Sequence, residues 1–261
     1  MKNNSDIKEL LKDKPELQSK LAFNHSYEEV EKILALKKMS DPKFAQVFKS
    51  NIWKTYYKNI KLILEMEEWN NSKYQHLLTS SIWNRSYSEV KNTLSMKEWN
   101  NPKYERLLTP SIWQCSYNDI KDILAMKEWD DPKFKHLLTP SVWGSRSHQI
   151  KEKFNIPYFQ MPEYQHLLTP GIFLITNNNI ISNIELFQSL GLERFLSATN
   201  IRIDVESQRL LIKYMINNNI PLVVRGRLHD ILRSPVNSKL KEYGISWDIV
   251  KGNLKEEEKT I

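Results

Sequence analysis

Lys61, Lys91, Lys121 and Lys151 recur every 30 residues, and Lys43, Lys73, Lys103 and Lys133 form a second series at the same interval. A row of ammonium groups at fixed spacing is chemistry suited to a phosphate backbone. The second series falls in the first turn of a predicted helix, where a cation opposes the helix dipole. Its recurrence there asks for a reason, and a phosphate track is one. A solvated face with each lysine beside an Asp or Glu is the other. A third basic group comes late in the chain. Arg202, Arg209, Lys213, Arg225, Arg227, Arg233, Lys239 and Lys241 are opposed over residues 202–241 only by Asp204, Glu206 and Asp230.

Other reactive side chains give less. His76, Arg106, His136 and His166 occupy one slot of the period. Stacked helices lie about 8–10 Å apart, too far for two of these side chains to share an ion that needs ligands at about 2 Å. Arg106 also interrupts the series, so these residues read as surface or inter-repeat polar groups. Cys115 has no fixed histidine partner. His229-Asp230 beside Arg225 and Arg227 makes at most a small polar cluster. No phosphate loop, GxSxG, HExxH or paired-carboxylate motif occurs, and six glycines are too few for a glycine-rich nucleotide cradle. The expectation is a protein that is not an enzyme and carries no cofactor or metal.

The elements that must position these residues are set by a ladder of tryptophans. Trp53, Trp83, Trp113 and Trp143 stand 30 residues apart, and Phe23 and Phe173 extend the series one step each way. Residues 81–110 and 111–140 agree at 17 of 30 positions without a gap, which marks an internal repeat rather than a family of similar helices. In the copy at 111–140, Ser116 caps a long helix predicted from Tyr117 to Lys127. Ile120, Ile123 and Leu124 line one face of it. The capping pairs Ser86–Glu89 and Ser26–Glu29 repeat the signal. Asp131-Pro132 opens a second helix to Leu138, and Thr139-Pro140 opens a one-turn 3₁₀ helix ending at Trp143. Pro157 interrupts the first helix of the copy at 141–170.

Copies therefore start near 21, 51, 81, 111, 141, 171 and 201. Residues 1–20 form an N-terminal helical cap, and 231–261 a C-terminal cap with a charged tail. The fold class is all-α: a right- or left-handed α-solenoid of about seven units, each a long helix, a short helix and a one-turn 3₁₀ helix. On that frame the tryptophans either stack on bases or lock one copy onto the next, and the second is the expected role. Trp69, Trp99 and Trp129 read as half-exposed joints. Two slots vary between similar copies. One is the pair after the aromatic residue: Asn24-His25, Lys54-Thr55, Asn84-Arg85, Gln114-Cys115, Gly144-Ser145 and Leu174-Ile175. The other is the eighth residue: Glu28, Lys58, Ser88, Asn118, His148 and Asn178. Such variation marks either a reading surface or tolerant loops, and tolerance is the expectation.

Composition bounds the partners. Net charge is +7, yet each copy contributes only between −1 and +2, so most copies are mixed-charge surfaces. One cysteine permits no internal disulfide, which suits the cytoplasm or another reducing compartment. The first residues, MKNNSDIKELLKDK, lack the apolar core of a secretory signal. No apolar run reaches the roughly 18 residues of a membrane span.

The Leu-Thr-Pro triplets at 108–110, 138–140 and 168–170, each followed by an apolar pair and an amphipathic helix, resemble the mitochondrial transcription termination factor (mTERF) family. The stretch Phe187 to Asn200, FQSLGLERFLSATN, resembles that family's helix–Leu-Gly–helix junction. The likeness covers roughly residues 21–245. The Trp ladder, the pairs Glu68-Trp69, Glu98-Trp99 and Glu128-Trp129, and the strict period depart from the family pattern. The resemblance implies a superhelix whose concave basic face binds nucleic acid, with no catalytic residues. The leading expectation is therefore nucleic-acid binding, duplex or single strand, through Lys61, Lys91, Lys121, Lys151, Lys73, Lys103, Lys133, Arg202, Arg209, Lys213, Arg225 and Arg227. The alternative is a protein-interaction scaffold that takes a helix or peptide in the same groove.

Overall fold

The computed structural model describes residues 4–189, 193, 196–198, 200–202 and 204–206. Every element among them is helical, and no strand occurs. The α-helices are α1 (Asn4–Leu10), α2 (Tyr27–Leu34), α3 (Tyr57–Leu64), α4 (Ser72–Gln75), α5 (Tyr87–Leu94), α6 (Pro102–Glu105), α7 (Tyr117–Leu124), α8 (Pro132–Lys135), α9 (Ser147–Phe154) and α10 (Asn177–Ser189). The chain divides into two compact units, residues 1–129 with 138–147, and residues 130–137 with 148–261.

In the first unit the 30-residue period has four helical pieces rather than three. The copy at 81–110 runs 3₁₀ turn Ser80–Asn84, α5, 3₁₀ turn Lys97–Asn100 and α6. The long helix is shorter than its apolar spacing suggested. α7 stops at Leu124 instead of Lys127, because Met126 is buried beneath the chain rather than continuing the helix. In the equivalent slots Met66 and Met96 are extended, with ψ near 135° and 130°. The Glu-Trp segment that follows is a separate turn.

Three of these stops also carry an indole. Trp69, Trp99 and Trp129 each donate Nε1–H to a carbonyl of the last helical turn, Ile63, Thr93 and Ile123, at 2.6, 2.5 and 2.6 Å. The same carbonyls accept the N–H of Met66, Met96 and Met126 at 3.3–3.4 Å, so the indole adds a second, shorter donor at the helix end. These tryptophans are 0–1% exposed, so they are core residues and not half-exposed joints.

An eight-residue helix has no stability of its own in water. Here α2 packs on α3, α3 on α5, and α5 on α7, each burying the same slots: Val30 and Ile33, Ile60 and Ile63, Val90 and Thr93, Ile120 and Ile123. The 3₁₀ turns that carry the Trp ladder also contact their equivalents one copy away. Trp53, Trp83, Trp113 and Trp143 are 1–2% exposed. Their Nε1–H groups donate to the carbonyls of Leu17, Val47, Leu77 and Leu107, always 36 residues earlier, at 2.6–2.9 Å. Each indole thus fastens its turn to the preceding copy through area and one buried hydrogen bond. Phe23, by contrast, is only half-buried, while Ala22 beside it is fully enclosed.

Capping follows the expected residues but not always the expected bonds. Ser26, Ser86 and Ser116 accept the N–H of Glu29, Glu89 and Asp119. Only Ser86–Glu89 closes a full capping box. Thr79, Thr109 and Thr139 make no cap bond to their turns. Thr79 and Thr109 instead pair with Ser81 and Ser111 at 2.8 and 2.7 Å.

In the second unit α8 covers Pro132–Lys135, shorter than the expected helix to Leu138. α9 ends at Phe154, where its counterparts end, so Pro157 interrupts nothing. It opens the 3₁₀ turn Pro157–Gln160 and holds Ile156 extended, as a residue before proline must be. Phe159 replaces the tryptophan, and the Gln160 amide bonds a different carbonyl, that of Phe154, at 3.0 Å. A phenylalanine cluster forms the core, Phe134 against Phe154 at 4.3 Å and Phe154 against Phe173 at 6.2 Å. α10 runs for 13 residues because the Glu-Trp turn has gone and Leu186 and Phe187 are buried within the helix. Of the stretch Phe187–Asn200, only parts fall within the described residues.

Candidate nucleic-acid interface

The two lysine series have different surroundings. Lys61, Lys91 and Lys121 are exposed on α3, α5 and α7. Residues three and four apart share a helix face, so each lies beside the variable eighth position, Lys58, Ser88 or Asn118, which is also exposed. Lys61 is 3.9 Å from Glu65, a contact between two exposed side chains and so a weak one. Lys91 lies 5.7 Å from the Tyr87 ring centroid. In the second unit Lys151 is likewise exposed on α9.

The other series consists of partly buried struts. Lys43 reaches Asn70 Oδ1 at 3.4 Å, and Lys73 donates to the Trp99 carbonyl at 2.5 Å with Glu105 at 3.6 Å. Lys133, in the second unit, donates to Gln160 Oε1 at 2.9 Å. Lys103 lies over the Tyr104 ring at 5.4 Å. The recurrence of a cation in that first turn thus has an internal reason: the ammonium bridges to the next copy's 3₁₀ turn. Arg202 packs over Gly171, where an added Cβ would sit 3.3 Å from its Nη1. Arg209, Lys213, Arg225 and Arg227 lie outside the described residues, as do Arg233, Lys239, Lys241 and His229-Asp230.

The variable slots also divide. The second residue of the pair serves the copy that follows in three copies, while Thr55 bonds Asn59 of its own copy at 2.9 Å. His25 Nε2 is 2.9 Å from the Trp53 carbonyl, Arg85 Nε donates to the Trp113 carbonyl at 3.0 Å, and the Cys115 thiol donates to the Trp143 carbonyl at 3.2 Å. The ninth position is a second interlock. Glu29, Asn59 and Asp119 accept the N–H of Tyr57, Tyr87 and Ser147 at 2.8, 2.6 and 3.1 Å. Each caps the long helix of the next copy, a role no local capping rule reveals. By contrast Asn24, Lys54, Asn84, Gln114 and Gly144 are exposed, as are Glu28, Lys58, Ser88 and Asn118. The exposed eighth positions and the exposed lysines therefore share one face of the long helices of the first unit.

Titration follows the same geometry. Burial pushes the Cys115 thiol up to about 12, with Asp119 adding to the shift and Arg85 opposing it. Burial would raise the Asp119 carboxyl. The Ser147 N–H, the Ser116 and Ser147 hydroxyls and Arg146 outweigh it and hold the group below its ordinary value. The histidine series bonds backbone: His76 Nε2 to the Leu108 carbonyl at 2.6 Å and, in the second unit, His136 to the Leu168 carbonyl at 2.7 Å and His166 to the Leu196 carbonyl at 3.0 Å. No group of three or more potential metal ligands occurs among the described residues, and no described helix is long and apolar enough to cross a membrane. Comparisons with protein-family models, curated proteins and solved structures find no match.

Proposed function

We propose that this chain is a non-catalytic α-solenoid that binds nucleic acid along the exposed face of its long helices. The observation that carries the reading is the recurrence of Lys61, Lys91 and Lys121, all exposed, at one slot of helices that pack in register on one another. Side-by-side helices at about 8–10 Å give one cation per copy along a line, an arrangement suited to a regularly charged polymer. The likeness of the Leu-Thr-Pro-headed copies to the mTERF family points to the same partner. Lys73 and Lys133 contribute less to the reading, since neighbouring copies already engage them.

Binding of labelled duplex and single-stranded probes across a salt series tests the proposal. Three phosphate contacts give a log–log slope of about −2.7 on duplex and about −2.1 on a single strand. Lys61→Ala, Lys91→Ala and Lys121→Ala together should remove most of that slope. An affinity that ignores salt, or that ignores the triple substitution, sinks the assignment. Partners that are proteins and survive nuclease treatment would favour the scaffold instead.

A further inference from the structure

We propose that Tyr56 is a base-stacking platform for single-stranded nucleic acid, set at the centre of the basic part of this face; the inference rests on the nucleic-acid reading above. Tyr56 occupies the N-cap of α3. The copies on either side use Ser26, Ser86 and Ser116 there, and each hydroxyl accepts a backbone N–H of the helix that follows. Tyr56 makes no such bond. It gives up a helix cap and leaves a large aromatic ring 67% exposed, the most of any exposed large hydrophobic residue among those described.

The ring is positioned from below. His25, itself buried, is held between the Trp53 carbonyl at 2.9 Å and Glu29 Oε2 at 3.1 Å, and its imidazole meets the Tyr56 ring at 5.5 Å and 60°. Cations flank it. Lys54 and Lys58, two residues to each side, are exposed, and Lys61 follows one turn along α3. Lys54 also reaches across to Asn84 Oδ1 at 2.9 Å, so the patch is continuous with the next copy. There the exposed variable positions are Asn84 and Ser88, followed by Gln114 and Asn118, side chains able to hydrogen-bond base edges. Glu28 and Glu31 on α2 border the patch on its other side.

An aromatic ring among phosphate-binding cations suits a strand whose base faces are free. In a duplex those faces are already stacked on one another. Tyr56 thus selects the single strand, while the lysines alone accept either form.

The test is anisotropy of the full chain with a fluorescein-labelled single-stranded oligonucleotide and with the same sequence as duplex. Tyr56→Ser should weaken single-strand binding by roughly 5- to 150-fold and leave duplex binding within about twofold. Tyr56→Phe should retain the wild-type preference. Circular dichroism checks that the serine variant folds, as the same residue at the same slot in neighbouring copies leads one to expect. If Tyr56→Ser binds the single strand like wild type while the triple lysine variant loses it, the platform is wrong and the nucleic-acid reading stands. Equal losses on both probes also overturn stacking. Failure of the wild-type chain to bind either probe removes both.

Discussion

Lys153 shows how one residue can strain a repeat. Its slot holds Ile33, Ile63, Thr93 and Ile123 in earlier copies, and Lys153 is only 3% exposed there. Burial pushes its ammonium below the ordinary lysine value, with Glu152 opposing. The folded state favours the neutral amine. The cost to stability is therefore full below the depressed folded value and vanishes as pH rises past the unfolded value of about 10.4. Lys153→Ile should stabilise the protein at neutral pH by about 1–3 kcal/mol and flatten its alkaline rise, as urea unfolding at several pH values would show. Cys115 is the opposite case, a thiol that fits. Pushed up to about 12 and bonded to the Trp143 carbonyl, it should resist a thiol reagent at pH 8 until the protein is unfolded. Trp113 anchors its copy by area and by its bond to Leu77. Trp113→Ala should cost about 3–5 kcal/mol in chemical denaturation, and an unchanged midpoint would deny the ladder its structural role.

Among the elements, helix starts were legible in the sequence and helix ends were not. Ser26, Ser86 and Ser116 announce themselves because a cap acts within three residues of its own position. The stops after Leu64, Leu94 and Leu124 carry no glycine or proline. They coincide with an apolar residue that turns extended, Met66 or Met96, as Leu36 and Ile156 do in copies without the indole, and it looks like an ordinary apolar position in a linear pattern. The interlock at Glu29, Asn59 and Asp119 is likewise invisible, since its partner lies 28 residues on. Asp119 should lend stability that is present above the unfolded carboxylate value and lost as pH falls through its depressed folded value. Asp119→Asn should therefore weaken the acid limb of a thermal-stability profile. α3 carries a testable deficit of its own. Because Tyr56 forgoes the cap, Tyr56→Ser should raise stability by about 0.5–2 kcal/mol. With the binding loss proposed for the same variant, that gain would mark a residue kept for its surface rather than for its helix.

At the scale of the molecule, the bonds spanning 36 and 28 residues predict a modular chain. Deleting residues 81–110 joins Ser80 to Ser111, rebuilding one 3₁₀ turn from two, and brings Trp113 onto the Val47 carbonyl, the partner Trp83 now has. That deletion should still unfold cooperatively, with a smaller dependence on denaturant in proportion to the surface lost. Removing 28 residues instead should unfold the flanking copies, because each indole and each interlock would meet the wrong backbone group. Equal outcomes for the two deletions would show that the copies do not communicate through these bonds.

The sequence alone determined the period, the all-helical class and the tryptophan ladder that joins copies, because large apolar side chains and caps recur at fixed spacing and need only their own copy to be recognised. Tertiary structure decided which repeated residues are spoken for. Lys61 and Lys73 are indistinguishable as members of lysine series, as are the two halves of each variable pair. Only packing against the next copy turns Lys73, Arg85 and Cys115 inward onto backbone carbonyls and leaves Lys61, Lys54 and Tyr56 in water. The physical reason is that a buried carbonyl must find a donor, and in a stacked repeat the donor comes from a neighbour that a linear pattern does not place.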